Sequence, residues 1–193
     1  MPEQPEDALA EHAAVLARIS ELLPAVERVA RLLIDTFAAG GRVLTLGNGG
    51  SACDAQHLAE ELLAHYRRDR RPLAATALTA DGPALTCIAN DYAFEDVFSR
   101  QVQGLARPGD VVVAFTTSGR SENVVRALAA AKEAGAATVL FTGGEGAPAS
   151  GHADHVLLVP SGSTARVQEM HVLLLHLLLE PVDAWAAGED AHT

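Results

Sequence analysis

Lysine is almost missing from this chain, since Lys132 is the only one. That removes Schiff-base chemistry from nearly every position and excludes the P-loop, whose signature requires a lysine. Cysteine is as scarce. Cys53 and Cys87 are too few for a secreted disulfide framework and lack zinc-knuckle spacing, so a reduced, cytoplasmic setting is expected. Aromatic residues make up only 4% of the 193, so a core has to be built from Ala, Leu and Val. Basic charge is also in deficit. Fourteen Lys and Arg face 25 Asp and Glu, a formal net charge of −11, which argues against nucleic acid or an anionic membrane as a partner. No long hydrophobic run exists either: the most apolar one, 172–179, is interrupted by His176 and is less than half a membrane span. Residues 1–11 are acidic and have no apolar centre, so they do not read as a signal peptide. A soluble, single-domain protein is expected.

What is present is a regular alternation. Leu9, Ala13, Leu16, Ile19 and Leu23 recur at helical spacing, and Val26, Val29, Ala30, Leu33 and Phe37 repeat it after Pro24. Gly40 and Gly41 stop this helical pair, residues 1–40. From there short apolar runs predict strands at 43–46, 74–78, 110–115, 138–141 and His155–Val159. Between them the pattern predicts helices at 52–66, 83–89, 94–105 and 122–134, and a long closing helix at 165–186. Strand alternating with helix implies an α/β, three-layer sandwich with a five-stranded parallel sheet over 41–187, followed by a frayed tail, 188–193. The closing helix is apolar nearly all round at 172–179, and the N-terminal helices carry broad apolar stripes. Such helices bury themselves most readily by packing against further copies of the chain.

Two strand-to-helix junctions read as anion sites. The first, Gly47-Asn48-Gly49-Gly50-Ser51-Ala52, satisfies G-x-G-x-x-A, but no acid for a ribose follows at the right distance, so a nicotinamide site is disfavoured. The physical content remains: glycines bare backbone N–H groups at a helix N-terminus, and Ser51 adds a hydroxyl. The second, Thr116-Thr117-Ser118-Gly119-Arg120-Ser121, puts four hydroxyls before a helix where ordinary capping requires one.

Candidate chemical groups lie on the flanking helices. His57 and Glu61 are four apart and share a face, with Glu60 pointing elsewhere. Gln168, His171 and His176 lie on the closing helix. Spacing alone leaves open a surface pair and a core histidine, a carboxylate–imidazole pair, or a mixed N/O metal site. Cys53 reads as packing, and Tyr92 and Trp185 as structural.

These residues fall into an ordered series. The glycine loop 47–51, His57-Leu58-Ala59-Glu60-Glu61-Leu62, Ile88-Ala89-Asn90-Asp91-Tyr92, Phe98-Ser99-Arg100-Gln101-Val102, Thr117-Ser118-Gly119-Arg120-Ser121 and Val167-Gln168-Glu169-Met170-His171 follow one another at the right separations. The series resembles the phosphoheptose isomerases (sedoheptulose 7-phosphate isomerases) of the sugar-isomerase, or SIS, domain superfamily, over residues 5–187.

The resemblance implies conversion of sedoheptulose 7-phosphate into D-glycero-D-manno-heptose 7-phosphate through an enediolate, the first step towards nucleotide-activated heptose. It implies a homotetramer with sites at subunit interfaces. Ser51, Thr116, Thr117, Ser118 and Ser121, with the backbone of Gly49 and Gly50, match the phosphate-holding positions. Asn48, Asp91 and Gln168 match substrate contacts. Glu61 and His176 match the acid–base pair. In members with active-site zinc, one Zn2+ per subunit, the ligands correspond to His57, Glu61, Gln168 and His176. Two positions depart from the family pattern: His65 stands where many members have Arg, and Ala165 where many have Asp, which bears on how heptose hydroxyls are held. A rival from the same superfamily is a non-enzymatic adaptor that binds the bacterial replication initiator protein. It shares the glycine loop and the Gln-Glu-Met-His segment but lacks the equivalents of Glu61 and His176, both of which this chain has.

Overall fold

A computed structural model describes residues 4–144 and 148–188. Helix α1 (Pro5–Leu16) and α2 (Leu23–Ala38) lead into β1 (Val43–Gly47), α3 (Gly50–Leu63), β2 (Ala75–Ala77) and α4 (Gly82–Asp91). Then come α5 (Ser99–Leu105), β3 (Val111–Thr116), α6 (Glu122–Glu133), β4 (Ala137–Gly143), β5 (His155–Val159) and α7 (Thr164–Ala186). The expected tail from 189 onward lies outside the described residues.

All five strands are parallel, in the order β2-β1-β3-β4-β5. Alternation along each strand builds two cores. Val43, Val111, Val113, Phe115, Val139 and Phe141 face α2, α3 and α7, whereas Leu44, Leu46, Val112, Ala114 and Leu140 face α5 and α6. The three-layer α/β sandwich is therefore as the alternation predicted. β1 sends the chain one way to β2 and β3 sends it the other way to β4. The crevice between the carboxyl ends of β1 and β3 is thus a topological switch point, where open α/β sheets bind ligands.

The stripe on α2 is consumed inside the chain: Val26, Val29, Ala30, Leu33 and Phe37 are all buried. On α7, Leu174, Leu175, Leu178 and Leu179 are buried while Val172, Leu173 and Leu177 are only half-buried. Among the described residues, the exposed large apolar side chains include Leu9, Leu16 and Leu23 near the N-terminus, Tyr92 and Phe94 after α4, and the scattered Leu63, Leu105 and Leu158. Helix α1 is strapped to α7 by polar contacts. Glu169 meets His12 Nδ1 and Arg166 Nη2, both at 2.7 Å, and Arg166 also donates to the Ala8 carbonyl.

Cys53, expected to pack, is exposed, because its position on α3 faces away from the sheet. Tyr92 is at the surface, where the Arg100 guanidinium lies 3.7 Å from its ring centre. Trp185 does pack against the first core, beneath Arg71.

Candidate active site

Chain direction makes the first half of the site. β1 ends at Gly47, and Gly49, at φ +56° and ψ −122°, turns the chain into α3. A side chain there is strained, so glycine is required. At Gly50 a Cβ would run into the Gln168 carboxamide, so its absence lets α7 close over the start of α3. β3 ends at Thr116, whose Oγ1 accepts from the Gly119 N–H at 3.3 Å and shapes the second loop. The two loops are clasped together. Asn48 Nδ2 donates to Asn123 Oδ1 at 2.8 Å, and Asn123 Nδ2 returns the bond to Asn48 Oδ1 at 2.9 Å.

Between the loops lies a cradle of about 220 Å³ lined by Asn48, Ser51, Phe115, Thr116, Thr117, Ser121, Thr164 and Gln168. Helices α3, α6 and α7 all begin here, so three positive dipole ends converge on a volume with five hydroxyls in its wall. No lining side chain is charged. Ser121 occupies the N-cap position of α6, yet its hydroxyl makes no capping bond. Capping at Ser121 therefore does not account for its place in the hydroxyl cluster.

The second half sits farther along the same two helices. His57 Nε2 is 3.3 Å from Glu61 Oε1, as the four-residue spacing predicts. The His176 imidazole meets the His57 ring edge-on, centroids 5.0 Å apart. Ligand atoms of His57, Glu61 and His176 all lie within 4.8 Å of one another. His176 is half-buried, not sunk among its leucines. Burial lowers its pKa below the usual histidine value, the neighbouring His57 lowers it further, and Glu61 and Glu180 partly offset both. Its imidazole is accordingly neutral at pH 7.

Not every predicted residue joins the cluster. Gln168 lies against Gly50 in the cradle, about two helical turns from the level of His57. Ser118 is exposed, and its Oγ accepts from the Arg120 N–H. Asp91 is exposed on α4, where its carboxylate accepts from Asn90 and Cys87 instead of lining the cradle. Gly49 serves the turn, and with Gly47 and Asn48 borders an apolar hollow beside α4. His171 is fully buried between the Phe115 and Phe141 rings, its Nδ1 3.8 Å from Asp54 Oδ2, and belongs to the core. His65 and Ala165 are both exposed.

Sequence reasoning missed Thr164, Asn123, Tyr66 and Glu180. Thr164 opens α7 and completes the cradle. Its only advance signal was a hydroxyl next to the start of a predicted helix. The others are brought in by tertiary packing alone.

A SIS domain family matches residues 9–143, 70% of the chain by count. A phosphoheptose isomerase of Paramagnetospirillum magneticum is 49% identical over 93% of this chain and 94% of its own length. The chain belongs to the phosphoheptose isomerase family. A second family member, from Geotalea daltonii, is 44% identical over 98% of this chain and 99% of that protein. Among solved structures, a phosphoheptose isomerase from Neisseria gonorrhoeae superimposes with a TM-score of 0.87 at 40% identity, covering 92% of this chain and 95% of that one. Another, from Francisella tularensis, gives 0.89 at 34% identity and the same coverage. These phosphoheptose isomerase relatives lend no support to the adaptor reading. Among the described residues no helix is long and apolar enough to cross a membrane.

Proposed function

We propose that this chain is a sugar-phosphate isomerase that converts sedoheptulose 7-phosphate into D-glycero-D-manno-heptose 7-phosphate. The observation that carries the reading is the pairing, along α3 and α7, of an uncharged hydroxyl-lined anion cradle with a carboxylate–imidazole cluster. Seven residues of α3 separate Gly50 from His57, a rise of roughly 10 Å. The extended sugar, from its phosphorylated end to its second carbon, spans a comparable distance of about 9 Å by ordinary bond lengths.

In this mechanism the hydroxyls of Ser51, Thr116, Thr117, Ser121 and Thr164 and the three helix N-termini hold the phosphate. Ser118 stands at the rim of the same loop. Asn48 and Gln168 bind the sugar chain. Glu61 takes the proton from C1, leaving an enediolate, and returns it to C2. His176, neutral and so both donor and acceptor, assists ring opening and moves the hydroxyl proton from O1 to O2. Each well-placed acid or base supplies about 10²–10⁴-fold in rate.

The donor set of His57, Glu61 and His176, two imidazoles and a carboxylate, suits zinc with a further position open. The 3.3 Å between His57 Nε2 and Glu61 Oε1 is close to the edge of a tetrahedron with bonds of about 2 Å. We propose these three as ligands, with Gln168 left in the cradle; a zinc ion held there would supply Lewis-acid polarisation of the carbonyl and would stabilise the enediolate charge.

We further propose a homotetramer with sites at subunit interfaces. Exposed Leu9, Leu16, Leu23, Tyr92 and Phe94 support it, as does α4, which has no buried residue and carries Asp91. Asp91 then acts in a neighbouring copy's site. A phosphorylated substrate and two free cysteines suit the cytoplasm.

Phosphorus NMR of sedoheptulose 7-phosphate with the purified protein, first with zinc and then with chelator, tests the reading. A new heptose phosphate resonance is expected, slowed about 10²–10⁴-fold by Glu61→Gln in a protein that stays folded. No turnover by folded wild-type protein under either condition refutes it.

A further inference from the structure

The segment 64–71 carries four arginines that the isomerisation leaves without a role, and among them stands Tyr66. Its ring lies against the His176 imidazole, centroids 5.6 Å apart and planes 23° from parallel. His57 meets the same imidazole edge-on at 80°. His176 is thereby held between one ring nearly parallel to it and another nearly perpendicular.

Tyr66 is itself tied down. Its hydroxyl donates to Glu180 Oε1 at 3.2 Å, one turn beyond His176 on α7, and Arg67 Nη1 donates to the same oxygen at 2.8 Å. Beside them, Asp183 Oδ2 accepts from the backbone N–H groups of Arg67 and Arg68 at 3.3 and 3.0 Å, and Oδ1 accepts from Arg70 Nε at 2.8 Å. Arg70 then reaches back to the Glu61 and Leu62 carbonyls at the end of α3. The basic segment is a clamp between α3 and α7, and the group it presses onto the site is the Tyr66 ring.

We propose that Tyr66 is a positioning residue for His176: its ring sets the plane of the imidazole, and the Glu180–Arg67 pair and the Asp183 clamp hold that ring. The inference rests on the role given to His176 above. An imidazole that passes a proton between two neighbouring oxygens does so through one ring nitrogen, and the ring plane has to keep that nitrogen aimed between the two oxygens. Rotation out of that plane slows the chemical step and leaves substrate binding, which the cradle supplies, largely intact.

Tyr66→Phe keeps the ring and Tyr66→Leu removes it, with Tyr66→Met as a second ringless variant should the leucine protein not fold. Two readouts apply: steady-state kinetics with sedoheptulose 7-phosphate, and the rate at which diethyl pyrocarbonate modifies His176, followed by peptide mass spectrometry. The ringless variant is expected to lose about 10- to 100-fold in kcat, as loss of a residue supporting a site group does, with KM within about threefold. Phenylalanine restores most of the rate, and His176 is modified faster only where the ring is absent. Equal kcat and equal modification in the ringless and wild-type proteins overturn the proposal. So does a loss shared equally by Tyr66→Phe, or one in which KM rises as much as kcat falls. If the wild type does not turn the substrate over, the isomerase reading fails, and the modification rates, which need no turnover, decide for Tyr66.

Discussion

Asn48 and Asn123 grip each other by both ends of their carboxamides and so tie together the two loops that form the cradle. Asn123 is 2% exposed, so water cannot replace its partner. Asn48→Ala strands the buried Asn123 carboxamide and is expected to destabilise the protein by about 1–3 kcal/mol, the cost of leaving a buried polar group unsatisfied. With the phosphate role proposed for these loops, KM for the sugar phosphate should rise more than kcat falls. Urea unfolding and steady-state kinetics read the two effects separately. A variant with unchanged KM would show that the clasp serves the fold alone.

Gly50→Ala tests the close approach of α3 and α7. Alanine favours a helix over glycine by about 1 kcal/mol, so stability should not suffer from propensity. The added Cβ falls on the Gln168 carboxamide, which has to swing out of the cradle. Activity should therefore drop while the circular dichroism spectrum stays the same. An active Gly50→Ala protein would remove Gln168 from the proposed substrate contacts.

The layer architecture was legible because the apolar period changes cleanly from helical to strand-like at Gly40 and Gly41, and because both anion loops announce themselves by glycines and hydroxyls in consecutive positions. Element ends were less legible. The helix predicted at 52–66 runs from Gly50 to Leu63: its start is set by Gly49 at positive φ, and its end by Arg70 taking two terminal carbonyls. The helical piece predicted at 94–105 divides into a 3-10 turn at Phe94–Asp96 and α5. Tyr66, Glu180 and Asp183 carry no local signal, since their meaning depends on α7 returning beside α3. The arginines of 67–71 look like a solvated loop until Asp183 is found beneath them.

That carboxylate has a pH signature. Burial alone pushes Asp183 up, but hydrogen bonds from Arg70 and from the Arg67 and Arg68 backbone outweigh it and hold the carboxyl below its ordinary 3.8. Stability from a depressed carboxyl is complete above the unfolded value and is lost as pH falls through the folded one. Urea midpoints should therefore drop steeply below about pH 4. Asp183→Asn leaves Arg70, whose side chain is fully buried, without its counter-charge, a loss of about 3–5 kcal/mol at neutral pH. The variant's midpoint should also vary less with acid. Parallel curves for the two proteins would contradict this.

His176 titrates in the opposite setting. Burial and then His57 lower its pKa, so in protein stripped of metal its ring proton resonance should shift at a midpoint below 6.5. His57→Gln removes a repelling neighbour and should move the midpoint up. Glu180→Gln removes a favourable carboxylate and should move it down. For folding, the unfolded chain binds this proton more readily, so the contribution of His176 is full above 6.5 and declines as pH falls through the folded value. A midpoint above 6.5 in the wild type would mean that the ring is charged where the mechanism needs it neutral.

Helix α7 brings Gln168 and His176 to a place that β1, α3, β3 and α6 have otherwise finished. A chain still emerging from the ribosome, with α7 not yet released, has its glycine turn and its hydroxyl cluster in hand but nothing to meet the carbonyl end of a sugar. Closure between segments so distant in sequence belongs late in folding. On the roles proposed for Gln168 and His176, the gain of activity during refolding should report the docking of this one helix.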